Sequence, residues 1–129
     1  MINTSAFISK LIEYLNTIKD GFSVYYDRAP TERIYPYAVI SGITASDLAE
    51  GDLTSFDVDI WTDDKKAAAT EEIEGLCDLI RNKLSNKIIS APGVFGSHIG
   101  YEGRDTSDDR EDDLSHRMLF FAARIFYLL

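Results

Sequence analysis

The sequence predicts an α+β fold, with a mostly antiparallel sheet flanked by two helices in the order α-β-β-β-α-β-β. Three observations carry this. Apolar residues recur at helical spacing in two separate segments. Apolar and aromatic residues alternate with polar ones in the runs between and after them. The links between the middle strands are short enough for antiparallel neighbours, and two helices packed on such a sheet close one core. A chain of 129 residues, 45% hydrophobic, suits a single domain over 1–129.

Residues 6–19 form the first helix, with Ile8, Leu11, Ile12, Leu15 and Ile18 on one face. Asn3, Thr4 or Ser5 can cap its start, Lys19 suits the dipole of its last turn, and Gly21 can end it. Phe22–Tyr26 reads as a strand, and Asp27-Arg28-Ala29-Pro30 turns it. Tyr35-Pro36-Tyr37 then leads into a second strand over Ala38–Thr44, and Pro36 falls at its beginning because it has no N–H for a ladder. Asp47–Asp52 is an acidic connection.

Leu53–Thr62 is the clearest strand. Phe56, Val58 and Ile60 point one way, while Ser55, Asp57, Asp59 and Trp61 point the other. Asp63 or Asp64 can cap a second helix, roughly 65–85, whose apolar stripe is Ile73, Leu76, Cys77, Ile80 and Leu84. Its acids come early and its Arg81 and Lys83 late, as the helix dipole favours, and Gly75 inside it suggests close packing. Residues 86–93 connect onward, although Ile88 and Ile89 suit an edge strand; Val94–Tyr101 is the next strand. Glu102–Asp113 reads as a solvated loop with seven acids against two arginines, including Asp105, Asp108, Asp109, Glu111, Asp112 and Asp113. The last strand, 114 or 115 to 127, is apolar on both faces: Leu119, Phe121, Ala123 and Ile125 on one, Met118, Phe120, Ala122 and Phe126 on the other. Such a strand needs cover on both sides, from helices or from another subunit.

Twenty-two acids against thirteen Lys and Arg give a formal charge of −9. That disfavours sequence-specific nucleic-acid binding and anionic membrane, both of which attract a basic footprint. No apolar run is long enough to span a bilayer, and the N-terminus does not have the pattern of a signal peptide. Cys77 is the single cysteine, so no disulfide forms within the chain; its place on an apolar helix face makes it a buried structural thiol.

No glycine-rich phosphate loop, zinc cysteine pair or nucleophile elbow is present, so no catalytic, cofactor or metal residue is assigned. His98 and His116 belong to no ligand motif. Asp57, Asp59 and Asp63 could converge on a divalent cation, but a solvated strand face explains them without one. The aromatics are more telling. Tyr25, Tyr26, Tyr35 and Tyr37 cluster around the first turn, and Trp61 stands on a polar strand face. Tyr and Trp concentrate at protein interfaces because a large apolar ring carries a polar handle. The candidate contact residues are Tyr35, Tyr37, Trp61, His116, Met118, Phe120, Arg124 and Phe126.

Val24-Tyr25-Tyr26-Asp27, Tyr35-Pro36-Tyr37-Ala38-Val39-Ile40, Phe56-Asp57-Val58-Asp59-Ile60-Trp61 and the terminal His116-Arg117-Met118-Leu119-Phe120-Phe121 occur here in one order behind an amphipathic helix. This combination resembles the tail-terminator, or tail-completion, family of long-tailed bacteriophages and prophages, also labelled minor structural, minor capsid or head-tail joining proteins. The resemblance implies a non-enzymatic virion protein without cofactors, assembled in the host cytoplasm as a hexameric ring at the head-tail junction. Its implied partners are copies of itself, the tail-tube protein and a head-completion protein. The acidic 102–113 segment departs from the family pattern. Other readings are another joint or tube subunit, a small acidic adaptor, and a metal-dependent enzyme using Asp57 and Asp59.

Overall fold

The computed structural model describes residues 4–48, 51–63, 69–105 and 114–127. Helix α1 spans Thr4–Leu15 and α2 spans Ala69–Leu84. Six strands follow the chain as β1 (Ser23–Tyr26), β2 (Tyr37–Leu48), β3 (Gly51–Asp63), β4 (Ile88–Ala91), β5 (Phe95–Asp105) and β6 (Leu114–Tyr127). They form one sheet in the order β1-β2-β3-β6-β5-β4. The α+β class stands, with two corrections. The element order is α-β-β-β-α-β-β-β, because Ile88–Ala91 pairs with β5 as a sixth strand. The sheet is mixed rather than mostly antiparallel, because β1 runs parallel to β2.

Residues 27–36 make that parallel return without a helix. Asp27 turns the chain at a φ of 68° while its N–H donates to the Ile40 carbonyl at 2.9 Å. The loop then lies beside Val39, Ser41, Asp59 and Trp61, across the sheet face that the helices leave bare.

Both helices pack on the other face. Phe7, Leu11 and Leu15 of α1 and Ile73, Leu76, Cys77, Ile80 and Leu84 of α2 are buried with Ala38, Ile40, Phe56, Val58, Ile60, Leu119, Phe121, Ala123 and Ile125 in one cluster. Phe7 meets Phe56 and Phe95 edge-on, with ring centroids 6.0 and 6.1 Å apart. Each such side chain contributes about 1.5–3 kcal/mol on burial. Arg117, the polar member of the inward row of β6, is held under α2, where its Nε donates to Glu74 Oε1 at 2.9 Å; Arg104 of β5 pairs with the other oxygen of that carboxylate.

Several expected boundaries move. Helix α1 ends at Leu15, so Lys19 and Gly21 lie beyond it, although Gly21 does take a left-handed φ of 74°. The end is set by Asn16, whose side chain receives the Val24 N–H at 2.9 Å and donates to the Val24 carbonyl at 3.2 Å. Asp63 is the last residue of β3, and Asp64 lies outside the described residues. Gly75 is exposed, with open space where a Cβ would stand, so it serves no close packing. Within the expected Asp47–Asp52 connection, Asp47 and Leu48 belong to β2 and pair with Asp52 and Gly51 of β3, and the missing side chain of Gly51 lets the Ile125 carbonyl lie against it. A bulge between Ser41 and Thr44 places Gly42 at a φ of 61°, tight against the Asp57 carboxylate. Of the acidic 102–113 segment, Glu102–Asp105 is strand, fixed by Arg104 under α2, and 106–113 lies outside the described residues.

Candidate interface on the open sheet face

Strand pairing lays the outward side chains in rows. Tyr37, Trp61 and His116 stand opposite one another on β2, β3 and β6. The next row is Val39, Asp59, Met118 and Asp105, and the one after it is Ser41, Asp57, Phe120 and Gly103. Further along come Leu53, Arg124, His98 and Ile88, then Gly51, Phe126, Gly96 and Ser90. No described helix or strand of the chain packs over these rows. Loop 27–36 covers only their β2 end.

All eight candidate contact residues therefore share one side of the sheet, with Tyr35 placed beside it by the loop at 5.2 Å from the Tyr37 ring. They do not share one environment. Tyr37 is buried by Tyr25, Tyr35 and the Arg33 guanidinium, which lies 5.7 Å from its ring centre. Burial pushes its phenol above the usual range. Trp61 stacks flat on His116 at 4.0 Å. His116 Nε2 lies 3.3 Å from Asp59 Oδ1, while the Ser41 hydroxyl donates to Asp59 Oδ2 at 2.7 Å. These contacts fix the aromatic end as a preset surface. Met118 and Phe120 are half-buried, Arg124 is exposed, and Phe126 remains 41% exposed.

Two outward apolar side chains, Leu53 and Ile88, were absent from the expected set and lie in one row with Arg124. Leu53 shares the strand parity of Trp61, and Ile88 sits in the segment noted as a possible edge strand, so both carried a local signal. Asp57 and Asp59 face the same way, but Asp59 is engaged by Ser41 and His116. Among the described residues no three His, Cys, Asp or Glu side chains gather as a metal site. Burial, then the Asp59 charge, raises the Asp57 carboxyl above the usual range. Cys77 is buried in the core and its thiol is pushed up to about 11, chiefly by burial, as expected of a structural cysteine. Asp105 ends β5 opposite Met118; Asp108, Asp109, Glu111, Asp112 and Asp113 lie outside the described residues.

The arrangement is that of an α+β fold packed by helices on one side of its sheet, with Trp61, His116, Phe120 and Phe126 on the other. Residues 12–125 match the family described as Tail completion protein gp17, and the chain belongs to that family. It is thus a phage tail assembly protein, and the family implies a structural role within the virion. No curated protein matches the chain. Among the described residues no helix is long and apolar enough to cross a membrane.

Proposed function

We propose that copies of this chain assemble into a ring that ends the tail tube and joins tail to head. The observation carrying this reading is the open sheet face, where Trp61, Met118, Phe120 and Phe126 lie on strands whose opposite side is a closed core. A ring needs heterologous contacts, in which two different patches of each subunit meet. The aromatic face is one such patch: large rings already fixed by neighbours lose little freedom on binding. Sixfold order is the expectation that the sequence resemblance supplies, with tube protein on one side of the ring and a head-completion protein on the other.

Electron microscopy of particles made without this chain tests the reading. Overlong tails, or tails separated from heads, are expected. Normal, joined tails would overturn it. A tube subunit, the nearest alternative, would instead polymerise into long tubes and leave no tails when removed.

A further inference from the structure

The two edge strands of the sheet are finished differently. On β1 the Asn16 side chain occupies both outward backbone groups of Val24, and the Arg28 N–H donates to the Tyr26 carbonyl at 2.7 Å. On β4 no such plug is present among the described residues. The Ile99 N–H donates to the Lys87 carbonyl at 2.9 Å. By the alternation of an antiparallel ladder, Ile88 and Ser90 then turn their own N–H and C=O groups away from β5. The Ile88 side chain is 67% exposed.

A second open edge lies on β2, which β1 covers only over Tyr37–Ile40. The Asp27 N–H reaches the Ile40 carbonyl, so Ile40 faces the β1 side and Ser41 faces β3. The bulge adds one residue before Thr44 pairs with Ser55. Thr44 and Ser46 therefore face β3, and Ala45 between them turns its backbone groups to the uncovered side. All three are exposed and uncharged. The stretch of β5 beyond Ile99 suits a partner strand less. A bulge between Tyr101 and Gly103 interrupts it, and Arg104 is held under α2 by Glu74.

We infer that β4 of one copy pairs in parallel with the 43–47 stretch of β2 in the next copy, continuing the sheet between subunits. Across the sheet β2, β6 and β4 run the same way, so a copy added in the same orientation brings its β2 alongside β4. With Ile88 opposite Thr44 and Ser90 opposite Ser46, the Ile88 carbonyl accepts the Ala45 N–H and the Ser90 N–H donates to the Ala45 carbonyl. All four opposed side chains then stand on the open face, where their rows already place them. In this register β1 of the added copy falls level with the part of β5 that β4 leaves uncovered. The groove of about 380 Å³ between β4 and α1 has its charges answered within the chain: Lys10 lies 3.5 Å from Glu13, and Lys87 Nζ stands 4.5 Å from the centre of the Tyr14 ring. An uncharged strand held by main-chain bonds fits such a groove. Two different patches meet, as closure of a ring requires. The inference rests on the reading that copies of this chain assemble.

Disulfide trapping in assembled particles tests it, with Cys77 buried and out of reach. A chain carrying Ser46→Cys and Ser90→Cys should link under mild oxidation into a ladder of more than two chains. Ala45→Cys with Ser90→Cys sets one thiol on the opposite face of the strand and should give about tenfold less product. No linked product, an equal ladder from the Ala45→Cys chain, a linked pair with nothing larger, or links formed only within single chains would overturn the inference. The ring reading is separable. Particles with normal, joined tails in which the Ser46→Cys, Ser90→Cys chain stays unlinked remove this contact but leave the ring. Normal, joined tails in particles lacking the chain altogether remove the ring itself.

Discussion

Strands β3 and β6 present two faces made from alternate residues of the same segments, and the two faces are built on different principles. Inward, Phe56, Val58, Ile60, Leu119, Phe121, Ala123 and Ile125 are closed over by helices, with Phe56 and Phe121 stacked at 5.5 Å. Outward, Trp61, Asp59 and His116 are held by a ring stack and polar contacts while Phe126 and Arg124 stay open. The inward face holds the fold through packing volume. The outward face is ordered enough to keep its shape and still leaves apolar area unused. Substitutions one residue apart should therefore have effects of different kinds.

Phe56→Ala should produce the largest loss of stability, about 3–5 kcal/mol, because the ring fills space between Phe7 and Phe121 that neighbours cannot fully close. Urea denaturation followed by fluorescence measures it. Trp61→Ala, across the sheet, should cost about 1–2 kcal/mol through the lost stack on His116. Its main effect should appear in assembly, read as the mass of the particle formed. Phe126→Ser sharpens the contrast: with 41% of the residue already exposed, stability should move by less than about 0.5 kcal/mol while assembly falls. A loss of folding as large as that of Phe56→Ala would mean the outward ring belongs to the core after all.

Much of this two-faced design was legible in the residues. Period-two alternation placed Phe56, Val58 and Ile60 against Asp57, Asp59 and Trp61, and the doubly apolar β6 signalled that its second face needed a partner or a cover. What local pattern could not show is which strands meet and in which direction. The parallel pairing of β1 with β2 depends on loop 27–36 crossing the sheet, and the end of α1 depends on Asn16 reaching Val24, eight residues on. A polar residue at an inward position also hid one strand end: Asp52 is buried within β3, before the expected start at Leu53, although its chemistry reads as solvent-facing. Type and parity place the candidate contact residues on one side of the sheet, but they do not show the burial of Tyr37 under the loop, which follows from that same crossing.

Asp57 gives the smallest test of the comparison, and its sign is informative. Burial first, then the neighbouring Asp59 charge, holds its carboxyl above the ordinary carboxylate range in the folded chain. The folded state therefore keeps this proton to higher pH than the unfolded state. The group costs nothing below the ordinary carboxylate range, and stability declines as pH rises through the raised folded value. Asp57→Asn removes the charge and its cost. The variant should match the parent in acid and exceed it progressively toward neutral pH, by less than about 1 kcal/mol because the site is partly open to solvent. Urea midpoints measured at several pH values decide it. A variant weaker than the parent at neutral pH would show that the Asp57 charge is stabilising, and that the open face is already electrostatically satisfied within one chain.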